Sequence, residues 1–247
     1  MWLILALVTA VFWAVGNVLL KKGMAVLPNS LIYLGNAGFF LVLWLIYLLI
    51  NGGWQSNPTA WVIAILPPLG FVYALTALKK NNAGLVSAVG SIHPAVTAIL
   101  AVSFLGEKLT LGQWGLIITA VLGIVIMSWS GKAKIGSWIW WGLILGIWGG
   151  VNSFVSKFAI GQTNATTYSL MFGVWQMIFS FGFLTIKKQW GNIKLLMDAK
   201  GRIGLIGTGI YNVGSVTFFL ALGAGQASLV MPVVNLSTPL ILFLAWW

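Results

Sequence analysis

Long apolar runs separated by short polar clusters fill the chain, and they place helices at about 2–20, 31–50, 60–78, 83–105, 111–130, 137–157, 166–186, 203–222 and 226–247. A helix needs roughly 20 apolar residues to cross a ~30 Å hydrocarbon core. Irregular backbone facing lipid is too costly to be an alternative, and a barrel would show short alternating segments that this sequence lacks. The expected class is an all-α membrane protein with nine visible transmembrane helices. Turn formers and charges gather between the runs: Lys21, Lys22, Pro28 and Asn29, then residues 51–58, 79–82, 107–110 and 131–136. The longer connection 187–202, KKQWGNIKLLMDAKGR, sets Trp190, Ile193 and Met197 at helical spacing. It reads either as a short interfacial stretch or as a solvated basic loop.

The pattern occurs twice. Trp13, Asn17 and Lys22 fall on Trp148, Asn152 and Lys157 at a constant offset of 135, and Ala77, Leu78, Ala83, Leu85, Val86 and Val89 fall on Ala221, Leu222, Ala227, Leu229, Val230 and Val233 at an offset of 144. The longer 187–202 connection accounts for the increase. Two diverged copies of one unit are expected, residues 1–130 and 136–247. A unit of five helices is odd-numbered, so copies that pack alike must enter the membrane from opposite sides, giving a two-fold inverted repeat. In the first copy a fifth helix follows Glu107, whereas the sequence stops at Trp247, eight residues after Pro239. That spacing leads us to expect a C-terminally shortened form of a ten-helix protein, with the tenth helix missing.

Composition agrees with the pattern. Hydrophobic residues make up 60% of the chain and charged residues 6%, with a mean hydropathy of +1.01, whereas soluble domains carry about 25% charged residues. A net charge of +11 would suggest nucleic acid in a soluble protein, but here the basic residues sit at the ends of apolar runs, as topology and headgroup anchors do. Most of the 15 tryptophans also fall near helix ends, as interfacial anchors; Trp13, Trp44, Trp148 and Trp175 are mid-helix and line either an aromatic cavity or the core. Without cysteine there is no disulfide framework and no thiolate chemistry. The first run begins at Trp2 with neither a basic flank nor a cleavage site, so it reads as a retained helix. Connections after helices one, three, five and seven hold eleven basic residues, against Lys108 and Lys157 for the others. The positive-inside rule then puts the first set in the cytoplasm and the N-terminus outside.

Polar side chains inside apolar helices are the candidates for chemistry. Asn17 lies one turn from Trp13, and Asn152 stands to Trp148 in the same relation. An amide beside an indole suits a zwitterion or a small polar metabolite, while the alternative is interhelical glue worth about 0.6–2 kcal/mol. His93 precedes Pro94 in AGLVSAVGSIHPAVTAILAVSFLGEK (83–108). It either carries a coupled proton or donates to a carbonyl that proline leaves unpaired. Pro67, Pro68, Pro94, Pro232 and Pro239 mark hinges or kinks in helices three, four and nine, with Ser91, His93, Asn235, Ser237 and Thr238 clustered at the breaks. Helix four also carries small residues at Gly84, Ser87, Ser91, Ala95 and Ala98, which close packing explains. Neither acidic residue lies inside a helix: Glu107 reads as a charge at the start of the fifth helix or a partner in a loop salt bridge, and Asp198 is in the long connection. No nucleophile set, metal cluster or phosphate loop stands out, so no enzyme and no cofactor are expected.

A first helix ending Trp-(x)3-Asn-(x)4-Lys, and a fourth of the form AGLxSAxxSIxPxxTAILAxxFLGEKLT, resemble the EamA-type branch of the drug/metabolite transporter superfamily. The resemblance implies a ten-helix inner-membrane carrier with a central cavity between the halves, moving small organic metabolites such as amino acids. It also implies a cytoplasmic N-terminus, against the charge count. Small multidrug exporters of that superfamily use a buried carboxylate in the first helix; Trp13 and Ala14 stand in that region here, which argues against organic cations. The resulting expectation is alternating access about a site formed by Trp13, Asn17, Ser91, His93, Trp148, Asn152, Asn235, Ser237 and Thr238, with a metabolite and membrane lipids as partners. A lipid-handling or structural membrane subunit is the rival.

Overall fold

The computed structural model describes residues 1–70, Val86, 89–128 and 136–246. The end of the third expected helix, the 79–82 connection, Gly84, Ser87 and residues 131–135 lie outside the described residues. Every regular element among the described residues is helical: α1 (Trp2–Gly23), α2 (Asn29–Asn51), α3 (Pro58–Ile63), α4 (His93–Leu105), α5 (Leu111–Ser128), α6 (Ser137–Gln162), α7 (Ala165–Ile186), a 3₁₀ helix at Trp190–Met197, α8 (Ala199–Ala224), α9 (Ala227–Val234) and α10 (Ser237–Trp246). Five of them, α1, α2, α6, α7 and α8, are long and apolar enough to cross a membrane.

Local signals set the ends. Asn57 and Asn164 cap α3 and α7 by accepting from Ala60 N (3.2 Å) and Thr167 N (2.8 Å). Thr110 and Gln113 form a reciprocal capping box at α5. Gly106 closes α4 in the left-handed region, at φ 67°. Helix three stops at Ile63 and resumes as helical turns through Gly70, because Pro67 and Pro68 bring no amide for the carbonyls one turn earlier. The chain from 89 to 105 breaks at Ser91–Ile92, and the chain from 227 to 246 breaks at Asn235–Leu236. Pro94 and Pro239 each fall in the first turn after the break, where a missing N–H costs nothing, and Pro232 lies within α9.

Packing follows small residues. α1 runs along α8 in the most extensive contact of the fold. A Cβ added at Gly23 would lie 2.4 Å from the Gly204 Cα, and one at Gly207 would lie 2.5 Å from the Leu20 nitrogen, so the two backbones touch. On α6, Gly142, Gly146 and Gly150 receive Val89, Ile92 and Val96, each about as close. The notches that let helix four approach therefore lie on its partner. Between α2, α7 and α8 sits an aromatic core of Phe40, Trp44, Tyr168, Phe172 and Phe219, with ring centroids 5.0–6.4 Å apart. Trp44 is thus core, and Trp175 is a tether whose Nε1 donates to the Trp61 carbonyl at 3.0 Å.

Two faces close the bundle. At one, Ser30 bonds Gln189, and Leu27 and Leu31 pack on Leu184, Leu195 and Leu196. The 3₁₀ helix lies there with Trp190 stacked on Phe181 and Met197 exposed, which favours the interfacial stretch over the solvated loop. At the other face, Asn164 Nδ2 donates to Gly53 O at 2.6 Å and Asn57 Nδ2 to Gln162 O at 3.2 Å. Lys21, Lys22, Lys187, Lys188, Lys194, Lys200 and Arg202 gather at the first face, so the charge bias in the sequence is a bias between faces of the fold.

Candidate functional site

The two broken helices meet at their breaks. Asn235 Nδ2 reaches the Ser91 carbonyl at 3.5 Å, and the two residues are 144 apart in the chain, the offset that relates the two sequence copies. Both are almost fully buried. Thr238 Oγ1 reaches Asn235 Oδ1 at 3.5 Å, and Ser237 is buried beside them. His93 opens α4 directly after the Ser91–Ile92 break, with Asn235 near its ring and its Nδ1 buried without a hydrogen-bond partner among the described residues. An unpaired buried polar atom costs about 1–3 kcal/mol, so such an atom needs a reason.

The four remaining candidates, Trp13, Asn17, Trp148 and Asn152, sit on α1 and α6. Trp13 stacks on Tyr211 at 5.3 Å, donates from Nε1 to Ser215 Oγ at 3.2 Å, and crosses Gly214, where an added Cβ would lie 2.7 Å from its ring. Trp148 crosses Gly70 in the same way, an added Cβ falling 1.6 Å from its Nε1. Gly70 and Gly214 are themselves 144 apart in the sequence. Each tryptophan therefore rests on a glycine from the other half of the chain. Trp148 Nε1, unlike that of Trp13, is buried without a partner among the described residues. Its neighbour Gly149 lies against the His93 side chain, an added Cβ there being 3.3 Å from His93 Cβ. Asn17 spends its Nδ2 on the Trp13 carbonyl of its own helix at 2.9 Å, while Asn152 Oδ1 accepts from Ser156 Oγ at 3.4 Å and Ser156 bonds Tyr168 Oη at 2.9 Å. The structure thus brings Ser91, His93, Asn235 and Thr238 together and places Trp148 one residue from the glycine that His93 packs on. Trp13 and Asn17 are engaged on the α1–α8 side.

At the face holding residues 106–110, two charges clamp the connection between α8 and α9. Glu107 accepts from Ala227 N (2.8 Å), Ser228 N (3.0 Å) and the Ser228 hydroxyl, satisfying the orphan amides at the start of α9. Lys157 Nζ donates to the Leu222 and Gly225 carbonyls at 2.6 and 2.7 Å, at the end of α8. The sequence led us to expect Glu107 at the start of the fifth helix or in a loop salt bridge; instead, among the described residues, its carboxylate is directed to Ala227 and Ser228, 120 residues along the chain.

The profile of the EamA-like transporter family matches residues 1–129, more than half of the chain. The chain belongs to that family. An uncharacterised protein of Methanocaldococcus jannaschii is similar, at 37% identity over 67 residues that cover 27% of this chain and 49% of that relative, so the match spans about half of its length. A crystal structure of a protein matches with a TM-score of 0.79 at 14% identity, over 98% of this chain and 86% of that one, which shows a shared fold. Membership makes this a multi-pass membrane protein of a transporter superfamily, in a family whose members are typically not enzymes.

In this EamA-like chain, reading the sequence missed Tyr211 and Ser215 as the partners of Trp13, and Ser156 and Tyr168 as those of Asn152. One signal was available. Tyr33 and Tyr168 share the 135 offset, and both are fully buried, with Tyr33 Oη donating to the Pro68 carbonyl at 2.9 Å.

Proposed function

We propose that this EamA-like protein is a secondary carrier of small polar organic metabolites, amino-acid-like in chemistry, working by alternating access about a cavity between two inverted repeats in the cell's inner membrane. The observation that carries the proposal is the contact between Ser91 and Asn235, each at the break of its helix. A residue that touches its own repeat mate lies at the axis relating the copies. Helix breaks at that axis gather polar side chains inside the bundle, where a polar solute can be held, and supply a place for two halves to rock. The reciprocal seating of Trp13 on Gly214 and Trp148 on Gly70 supports the same two-fold relation, as do the pairings of α2 with α7 and α4 with α9.

Trp148 Nε1 and His93 Nδ1 are the groups best suited to meet a solute, because neither atom has a partner among the described residues and both are buried. Asn235, Thr238 and Asn152 add donors and acceptors, and the Trp148 ring adds an apolar wall. In this reading His93 is the place for a coupled proton, since no carboxylate lies within a described helix.

Proteoliposomes holding the full chain, offered a panel of radiolabelled zwitterionic amino acids under an imposed pH gradient, test the proposal. Gradient-dependent accumulation of at least one compound is expected, falling about tenfold in Asn235→Ala and Asn152→Ala, a loss of ~1.4 kcal/mol of transition-state stabilisation. Accumulation that ignores both substitutions would remove the site from this crossing. No accumulation of any compound would return the chain to the class of lipid-handling or structural subunits.

A further inference from the structure

The clamp formed by Glu107 and Lys157 opens onto a cavity of about 820 Å³, formed by the ends of α1, α4 and α6 and by the connection between α8 and α9. It is separate from the helix crossing, because none of Ser91, His93, Asn235 or Trp148 lines it. Its walls divide by chemistry. Lys157 and Glu107 sit with Gln162 and Gln226 on one side, and Phe104 and Phe158 form an apolar side that is open to the surroundings, Phe104 being 71% and Phe158 40% exposed. In a chain that spans a membrane, exposed phenylalanines on helices face acyl chains, while helix ends lie at headgroup depth.

Each charge keeps bonding capacity. An ammonium has three donors and Lys157 uses two, both on backbone carbonyls; its third has no partner among the described residues. Glu107 Oε1 accepts one bond, leaving a lone pair. Glu107 acts on Lys157 as a neighbouring charge, and each is engaged with backbone instead of with the other. An anion beside a cation at headgroup depth, next to an open apolar wall, matches one ligand class.

We infer that this cavity binds an aminophospholipid, its phosphate accepting from Lys157, its ammonium donating to Glu107 and one acyl chain lying along Phe104 and Phe158. The inference does not rest on what the protein transports. It departs from what a net charge of +11 suggests, which is a general preference for anionic lipid. At this site Glu107 repels a headgroup of net negative charge, so phosphatidylethanolamine is favoured over phosphatidylglycerol. The bound lipid also stiffens the connection between α8 and α9, which carries both clamp contacts.

Native mass spectrometry of the full chain, released from detergent and titrated with dioleoyl phosphatidylethanolamine or dioleoyl phosphatidylglycerol, gives the test. The first adduct is expected to form about fivefold more tightly with the ethanolamine lipid, a difference of ~1 kcal/mol. Gly161→Phe should cut that adduct several-fold: Gly161 lines the cavity and no atom lies within 4 Å of an added Cβ, so the ring enters the lipid's space without disturbing the fold. Lys157→Gln should do the same, whereas Lys188→Gln, at the opposite face, should not. Equal or tighter binding of the glycerol lipid, or an adduct untouched by Gly161→Phe, would overturn the inference. So would displacement by water-soluble glycerophosphoethanolamine at the lipid's own concentration, since the headgroup alone would then be the ligand and the phenylalanine wall idle.

Discussion

The two mid-helix tryptophans that the sequence repeat pairs, Trp13 and Trp148, are built alike and finished differently. Both lie against a glycine from the other half of the chain. On the Trp13 side partners are at hand: Nε1 meets Ser215, the ring face Tyr211, Asn17 Nδ2 the Trp13 carbonyl, and Thr9 the hydroxyl of Thr217 at 2.8 Å. On the Trp148 side the indole N–H and the nearby His93 Nδ1 are buried without a hydrogen-bond partner among the described residues, with Asn235 beside the His93 ring. Satisfied polar groups between tightly seamed helices rigidify an interface, and unsatisfied ones are where water or a solute is to be sought. The Trp13 side is built as a joint, and the Trp148 side keeps polar atoms without partners among the described residues.

The largest expected effect breaks the joint. Gly204→Val pushes a branched side chain into the Gly23 backbone, which has no flexible end to yield, and should cost about 3 kcal/mol or more, read as a lowered Tm in detergent micelles. An unchanged Tm would mean that the seam has slack. Next come the tryptophans themselves. Trp148→Phe should lower transport about tenfold while leaving the melting profile nearly unchanged, because the lost N–H has no partner among the described residues. Trp13→Phe should do the reverse, losing about 1 kcal/mol of stability with the Ser215 hydrogen bond while transport stays within about twofold. Equal effects of the two substitutions on transport would erase the distinction drawn here.

Glu107→Gln tests whether a charge outside both sites matters to the bundle. The neutral amide keeps the shape but loses the charge-assisted bonds to Ala227 and Ser228, so a loss of about 1–2 kcal/mol is expected, with protease sensitivity rising at residues 223–228. Smallest in energy is the orientation test. Single cysteines at Lys194 and Ser56, both exposed and on opposite faces, report sidedness when intact cells meet an impermeant thiol reagent. Labelling at 56 with protection at 194 is expected from the charge asymmetry between the faces. The opposite pattern would restore the cytoplasmic N-terminus that the family resemblance implies.

Much of this was legible in the residue pattern. Helix starts and ends were readable because a lipid-facing backbone must close its own hydrogen bonds, so every span leaves an apolar run and every connection leaves turn formers. The repeat was readable in Trp13, Asn17 and Lys22 against Trp148, Asn152 and Lys157, and the site candidates Ser91, His93, Asn235 and Thr238 were readable as polar groups beside a proline. Partner choice was not readable. Lys22 and Lys157 are equivalent in sequence, yet only the fold shows Lys157 reaching carbonyls 65 and 68 residues away. Glu107 looked local because capping carboxylates usually serve the next helix, and its role depends on α9 arriving beside it.

The sequence alone determined that this chain lives in a membrane, that it is built of helices, and that its helices give way beside prolines. Each of these depends on local hydrogen bonding or on transfer between water and hydrocarbon, which a residue carries wherever it sits. Tertiary structure alone decided that the Trp13 N–H meets Ser215, which helix end each lone charge caps, and that the two breaks meet. Those outcomes depend on how closely backbones approach across glycine notches, a distance that no single residue encodes.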